Sequence, residues 1–226
     1  MTEPDEGDEV EVDVDIEETE GADTDPAKPM KDLSLAGDHK LETPWTFHYD
    51  KKLPKPADYK NYAQNLVKLG RFDTVEGFWR HYSYLKSPDV IPNGHNLFMF
   101  RHGLTPAWET FPKGGTWIIK VRKKNGVISR LWEELLFACI GELFEEPDIC
   151  GVMLSIRKSE DLLSVWNQDN SKNPEVRFAI GEKLREILNL DESTQVEYKH
   201  FKTAIKDGSS FRNAKPYVYA PQAYTE

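Results

Sequence analysis

Apolar residues recur along this 226-residue chain at two periods, and each period predicts a different element. In "TPWTFHY", Trp45, Phe47 and Tyr49 fall on one side of a strand. A Pro-rich loop, "KKLPKPADYKNYAQN", follows. In "FDTVEGFWRHYSYL", Val75, Phe78, Trp79 and Tyr82 recur at helical spacing, and Asp73 and Glu76 stand at the spacing of a capping box, with Asp in place of Ser or Thr. "NLFMFR" and "GTWIIKVRK" are short β-rich runs, and Lys124 to Gly126 reads as a hairpin turn. A longer helix is predicted from Ser129 through Phe144, because Leu131, Trp132, Leu135, Leu136, Cys139, Ile140 and Leu143 form one broad stripe. "GVMLSIRK" and "DLLSVWNQ" are strands joined by a tight polar link. "NPEVRFAIGEKLREILNL" supplies an Asn cap, a Pro in the first turn and a third amphipathic helix, and "QVEYKHF" is a late strand.

Strands outnumber helices and adjacent strands are joined by short turns. The expected class is therefore α+β: one curved, mainly antiparallel sheet with about three helices on its convex face. Such a sheet leaves its other face and rim for a ligand.

Charge is divided unevenly. Residues 1 to 30 hold thirteen Asp and Glu against Lys28 alone, a net charge of −12, whereas the remaining 196 residues sum to +2. The acidic segment has no aromatic residue and repels itself, so it is expected to be a disordered tail over 1–38, ahead of a domain over 39–220. The low net charge belongs to the tail, so an anionic ligand for the body is not excluded. No apolar run approaches the ~18 residues of a membrane span, and the acidic start has neither a secretory nor a transit character, which predicts a cytoplasmic or nuclear protein. The two cysteines, Cys139 and Cys150, have no His at ligand spacing and read as buried free thiols. No metal or cofactor is implied.

Of the six Trp residues, Trp108 and Trp166 are the hardest to place in a core: one sits in the Gly/Pro-rich loop "GLTPAWETF", the other at the polar end of a strand. Arg157 and Lys158 end one strand, and Lys120, Arg122, Lys123 and Lys124 lie at the end of another. A π-face, an acceptor carboxylate at Glu109 and a cationic rim are the three parts needed to hold a purine nucleotide. Guanine suits Glu109, because its N1 and N2 both donate to one carboxylate; adenine does not.

The motifs "FDTVEGFW", "LTPAWE", "GGTWIIK", "LWEELLFACIGE", "EEPDICGVMLSIR" and "VWN", in that order and at those spacings, closely resemble the mRNA cap-binding translation initiation factors of the 4E type over residues 39 to 206. The resemblance implies a cupped sheet backed by three helices, with the 7-methylguanosine cap held in the concave face. It implies that the methylated base is sandwiched between Trp108 and an aromatic before the first helix, best matched by Tyr62, with Tyr59 as the other register. Glu109 would read the base edge, Trp166 would touch the methyl group and Arg157 would bind phosphate.

Departures from that pattern are specific. The second phosphate Lys of the family falls on Leu162, so Lys120, Arg122 or Lys158 would have to substitute. A strand Trp of the main factor is His48. Tyr62 in place of Trp resembles the class II homologous proteins, some of which repress translation, whereas Trp45 resembles the main factor. On the convex face the resemblance implies docking of a partner helix of pattern Tyr-x4-Leu-hydrophobic, from an initiation scaffold or a 4E-binding protein, on Val75, Trp79 and Phe137 beside His39. Glu133 stands where the main factor has Leu.

Two other classes make different demands on the sequence. A nucleotide-hydrolysing enzyme needs a carboxylate cluster for Mg²⁺ or a phosphate loop followed by Lys, and the chain carries neither motif. A peptide-binding module explains Val75 and Trp79 but not Trp108 beside Glu109. The expected protein is a non-catalytic monomer that binds the mRNA cap and controls translation initiation, or one that occupies the cap as a repressor.

Overall fold

The computed structural model describes residues 38–51, 65–171, 174–191 and 194–216. The acidic segment, Tyr59, Tyr62, the Asn cap of the third helix and the end of the domain at 220 lie outside the described residues. Among those described, eight strands form one sheet: β1 (Lys40–Lys51), β2 (Val67–Thr74), β3 (His95–Arg101), β4 (Gly115–Arg122), β5 (Ile149–Ser155), β6 (Glu160–Asn167), β7 (Val196–His200) and β8 (Lys215–Pro216). They are ordered β2-β1-β3-β5-β6-β4-β7-β8, and every neighbouring pair is antiparallel. Four helices accompany them: α1 (Val75–Tyr82), α2 (Val127–Ile140), α3 (Pro174–Ile187) and α4 (Phe201–Asp207).

The strand period divides the side chains into two cores. Trp45 and Phe47 of β1, Leu97 and Met99 of β3, Trp117 and Ile119 of β4 and Leu163 and Val165 of β6 meet Phe78 of α1, Leu131, Trp132 and Leu135 of α2, and Ile180 and Leu184 of α3. This is the helix-covered face. Leu135 is fully buried there, so Leu135→Ala would cost about 2–5 kcal/mol. The intervening residues, Phe98 and Phe100 of β3, Met153 of β5 and Trp166 of β6, form a second core on the opposite, open face, joined by Phe111 and by Phe201 of α4. Gly151 permits this arrangement, because a Cβ there would lie 2.4 Å from the Phe100 ring. Cys139 and Cys150 are buried free thiols, and burial pushes both pKa values up, away from the reactive thiolate.

Four local expectations are corrected. The cap of α1 is Thr74, whose hydroxyl accepts the Gly77 N–H at 2.9 Å, and not Asp73, which pairs with Lys40 at 3.1 Å. Lys124 to Gly126 is not a hairpin turn: Gly126, at φ 77°, is the N-cap of α2, and β4 pairs instead with β6 and β7. α2 stops at Ile140, so Leu143 leaves the stripe and is exposed. β2, α4 and β8 were not foreseen. Edge strand β2 exposes Val67 and Leu69, which erases the inside-outside alternation that marks a half-buried strand.

Candidate functional site

A cavity of about 270 Å³ lies on the open face. Its floor is Phe98, Met153 and Trp166. Trp166 is buried, with its ring centroid 5.2 Å from Phe100 at a near-perpendicular angle and 4.5 Å from Phe201.

One wall is a single 3-10 turn, Trp108–Thr110, closed by Phe111 N–H donating to the Trp108 carbonyl at 3.1 Å. Buried Phe111 anchors this turn, with its ring 6.5 Å from Phe100 and 6.4 Å from Phe201. Trp108 is therefore half-buried at the cavity and Glu109 is exposed beside it, both among the lining residues. A loop that reads as irregular in sequence is thus held by an aromatic clamp two to three residues beyond the pair.

A second stretch of the lining is the loop from Gly208 to Arg212. Its anchor is Lys199, fully buried on β7, whose ammonium donates to both carboxylate oxygens of Asp207 at 2.9 and 2.8 Å and to the Arg212 carbonyl.

Arg157, two residues beyond β5, lines the cavity together with Asn96, Asp50 and Lys51. Its guanidinium donates to the carbonyls of Ile156 at 2.9 Å and His95 at 3.3 Å and to Asn96 Oδ1 at 2.7 Å. The other cations foreseen at this rim are placed differently. Lys120 projects from the open face across from buried Leu162, but its ammonium is 2.7 Å from Glu197 on β7. Arg122 and Lys158 are exposed, and neither they nor Lys120 line the cavity. Sequence reasoning missed Phe98, Asn96, Asp50 and the 208–212 loop. The alternation in "NLFMFR" placed Phe98 opposite Leu97 and Met99, whereas nothing in "DGSSFR" signals a cavity wall.

A second feature occupies the helix-covered side. Val75, Trp79 and Phe137 are exposed by 37%, 43% and 36%, although two of them are large aromatics. Trp79 lies 5.7 Å from Phe137 and 5.9 Å from Tyr82, centroid to centroid, and the Tyr82 hydroxyl donates to Glu133 at 3.3 Å. His39 sits at the margin: its carbonyl accepts the Val75 N–H at 2.9 Å. Together these residues make an apolar surface with Glu133 at its edge.

The sequence profile described as Eukaryotic initiation factor 4E matches residues 40–216, most of the chain. The chain belongs to the eukaryotic initiation factor 4E family. Relatives in that family include the Arabidopsis thaliana protein named eukaryotic translation initiation factor NCBP, 36% identical over 180 residues, 78% of this chain and 80% of its own length. The Caenorhabditis elegans factor 4E-4 is 36% identical over 188 residues, 81% of this chain and 87% of its own. Among solved structures, C. elegans eIF4E-3 in complex with the 4E-binding protein Mextli and a cap analog superposes with a TM-score of 0.68 at 28% identity, covering 80% of this chain and 98% of that one. Ascaris suum eIF4E-3 bound to the m7G cap gives 0.68 at 30% identity, covering 81% and 98%. The curved antiparallel sheet with α1, α2 and α3 on one face is the fold of this family.

Proposed function

We propose that this protein binds the 7-methylguanosine 5′ cap of mRNA in the open-face cavity and controls translation initiation through a helical partner segment docked on Val75, Trp79 and Phe137. One observation carries the reading: Trp108 and Glu109 share a cavity with Trp166 and Arg157. N7-methylation gives guanine a positive charge, which Trp108 meets with a π-face, and Tyr62, or Tyr59 in the other register, would supply the second face of the sandwich. Glu109 accepts the N1 and N2 protons, Trp166 contacts the methyl group and Arg157 takes the phosphates. No step is catalytic; the protein is a binding factor that works in the cytoplasm, where mRNA is translated.

A second reading, a repressor that occupies the cap without recruiting the scaffold, is favoured by Leu162 and by the pairing of Lys120 with Glu197, which leave Arg157 with less help on the phosphates than the family pattern provides. Titration of the intrinsic Trp fluorescence with 7-methyl-GTP and with GTP tests the common part. The expected result is saturable quenching with a clear preference for the methylated nucleotide, of the size of a cation–π contribution, roughly 0.5–2 kcal/mol. Equal affinity for the two nucleotides would remove the sandwich and the cap reading with it. Capture of the initiation scaffold on cap resin would then separate initiator from repressor.

A further inference from the structure

A carboxylate lines the cavity that, on the reading above, takes a triphosphate. Asp50, at the end of β1, is 3% exposed, and Asn96 beside it on β3 is 6% exposed. An anion there would repel phosphate unless its charge were committed to something else. Its contacts show such a commitment. The Asn96 amide donates from Nδ2 to Asp50 Oδ1, and its own Oδ1 accepts from Arg157 Nη2 at 2.7 Å. Carboxylate, amide and guanidinium form one chain of hydrogen bonds from β1 through β3 to the residue two beyond β5, and the register that sets Asp50 opposite Asn96 and Asn96 opposite Ser155 makes it possible.

The chemistry of the amide gives this chain of bonds a direction. An Asn side chain has one acceptor oxygen and one donor NH₂. With Asp50 present, the NH₂ has an anionic acceptor and the oxygen is turned toward Arg157. Without Asp50, the NH₂ loses its anionic acceptor and the amide orientation is held by the guanidinium alone, so Arg157 is less firmly placed. The backbone of Arg157 is held as well, its N–H donating to Asp161 Oδ1 at 3.0 Å, while Lys123 is 2.6 Å from the same carboxylate oxygen. Arg157 therefore presents a guanidinium whose position is fixed before any ligand arrives, which lowers the ordering cost of gripping a phosphate.

We infer that Asp50 and Asn96 are positioning residues for Arg157 and that they strengthen the protein's hold on the cap phosphates, not on the base. The inference rests on the cap reading. Its test uses the full chain and two probes, 7-methyl-GTP and the nucleoside 7-methylguanosine, which has no phosphate. Asp50→Ala and Asn96→Ala should each weaken 7-methyl-GTP about tenfold, the effect of a lost hydrogen bond to a charged group, while nucleoside affinity changes by less than about twofold. Asp50→Asn, which keeps an acceptor for the Asn96 amide, should recover most of the loss. In an Arg157→Ala background, Asp50→Ala should have no further effect, because the group it positions is gone. Three outcomes overturn the inference: equal loss for both probes, an undiminished loss in the Arg157→Ala background, or tighter 7-methyl-GTP binding by Asp50→Ala, the sign expected if Asp50 simply repels phosphate. If the wild-type protein binds neither probe, the cap reading and this inference fall together. If it binds both and the variants do not separate them, only the inference falls.

Discussion

Glu76 grips His39 twice: one carboxylate oxygen lies 2.7 Å from His39 Nδ1 and the other accepts the His39 backbone N–H at 2.8 Å. The His39 carbonyl in turn accepts the Val75 N–H, so the chain entering β1 is clasped to the first turn of the helix that carries exposed Val75 and Trp79. The Glu76 hydrogen bond and charge raise the pKa of His39 above its ordinary 6.5, and the same bond holds Glu76 down at about 2. The His39 contribution is full below pH 6.5 and is lost as pH rises through the raised value. The Glu76 contribution is full above its ordinary 4.5 and is lost as pH falls toward 2. The clasp is thus complete between about pH 4.5 and 6.5. An NMR titration should put His39 above 6.5 and return it toward 6.5 in Glu76→Gln.

Glu109→Gln should weaken binding of 7-methyl-GTP about ten- to a hundredfold, since bonds to a charged acceptor contribute roughly 1.5–3 kcal/mol and an amide must turn one NH₂ toward guanine donors. Fluorescence titration reads this directly. Unchanged affinity would mean that Glu109 does not read the base edge.

Trp79→Ala removes a side chain that is 43% exposed, so it should cost under about 1 kcal/mol of unfolding free energy. Capture of a Tyr-x4-Leu-hydrophobic peptide should fall about thirtyfold or more, as for a buried aromatic anchor, with cap binding unchanged. Loss of the cooperative unfolding transition would instead mark Trp79 as core.

Lys199→Met should destabilise the fold by roughly 2–3 kcal/mol, below the 3–5 of a fully buried pair because Asp207 keeps some solvent contact. It should also loosen the 208–212 wall of the cavity. Urea midpoints give the first quantity, and proteolytic nicking near Ser210 gives the second.

His48 is buried on the open face, and burial, followed by the Lys68 charge, lowers its pKa from 6.5 to about 4. The unfolded chain therefore takes up a proton that the folded one refuses. Stability should fall as pH drops from 6.5 to 4, by up to about 3 kcal/mol, and His48→Phe should flatten that part of the pH profile.

Strands β1 and β3 to β7 and helices α1 to α3 were legible in the sequence because periods of two and of 3.6 are written in near neighbours, and burial of one face enforces them. Trp108 and Glu109 stood out for the same local reason: an aromatic and a carboxylate on a Gly/Pro-rich loop match neither period. The exposed apolar patch was legible as well, since Val75, Phe78, Trp79 and Tyr82 cover more of a helix than one sheet contact needs. Tertiary structure decided which polar groups are already taken. Lys120 reads as a rim cation until β7, 77 residues further on, brings Glu197 to it. Asp50, Asn96 and Arg157 become one line only when β1, β3 and β5 lie side by side in register, and Thr74 rather than Asp73 caps α1 only once β2 has fixed where the helix starts. A side chain's hydrogen-bond partner depends on strand order and register, and these are set by the whole core and not by the residues around it.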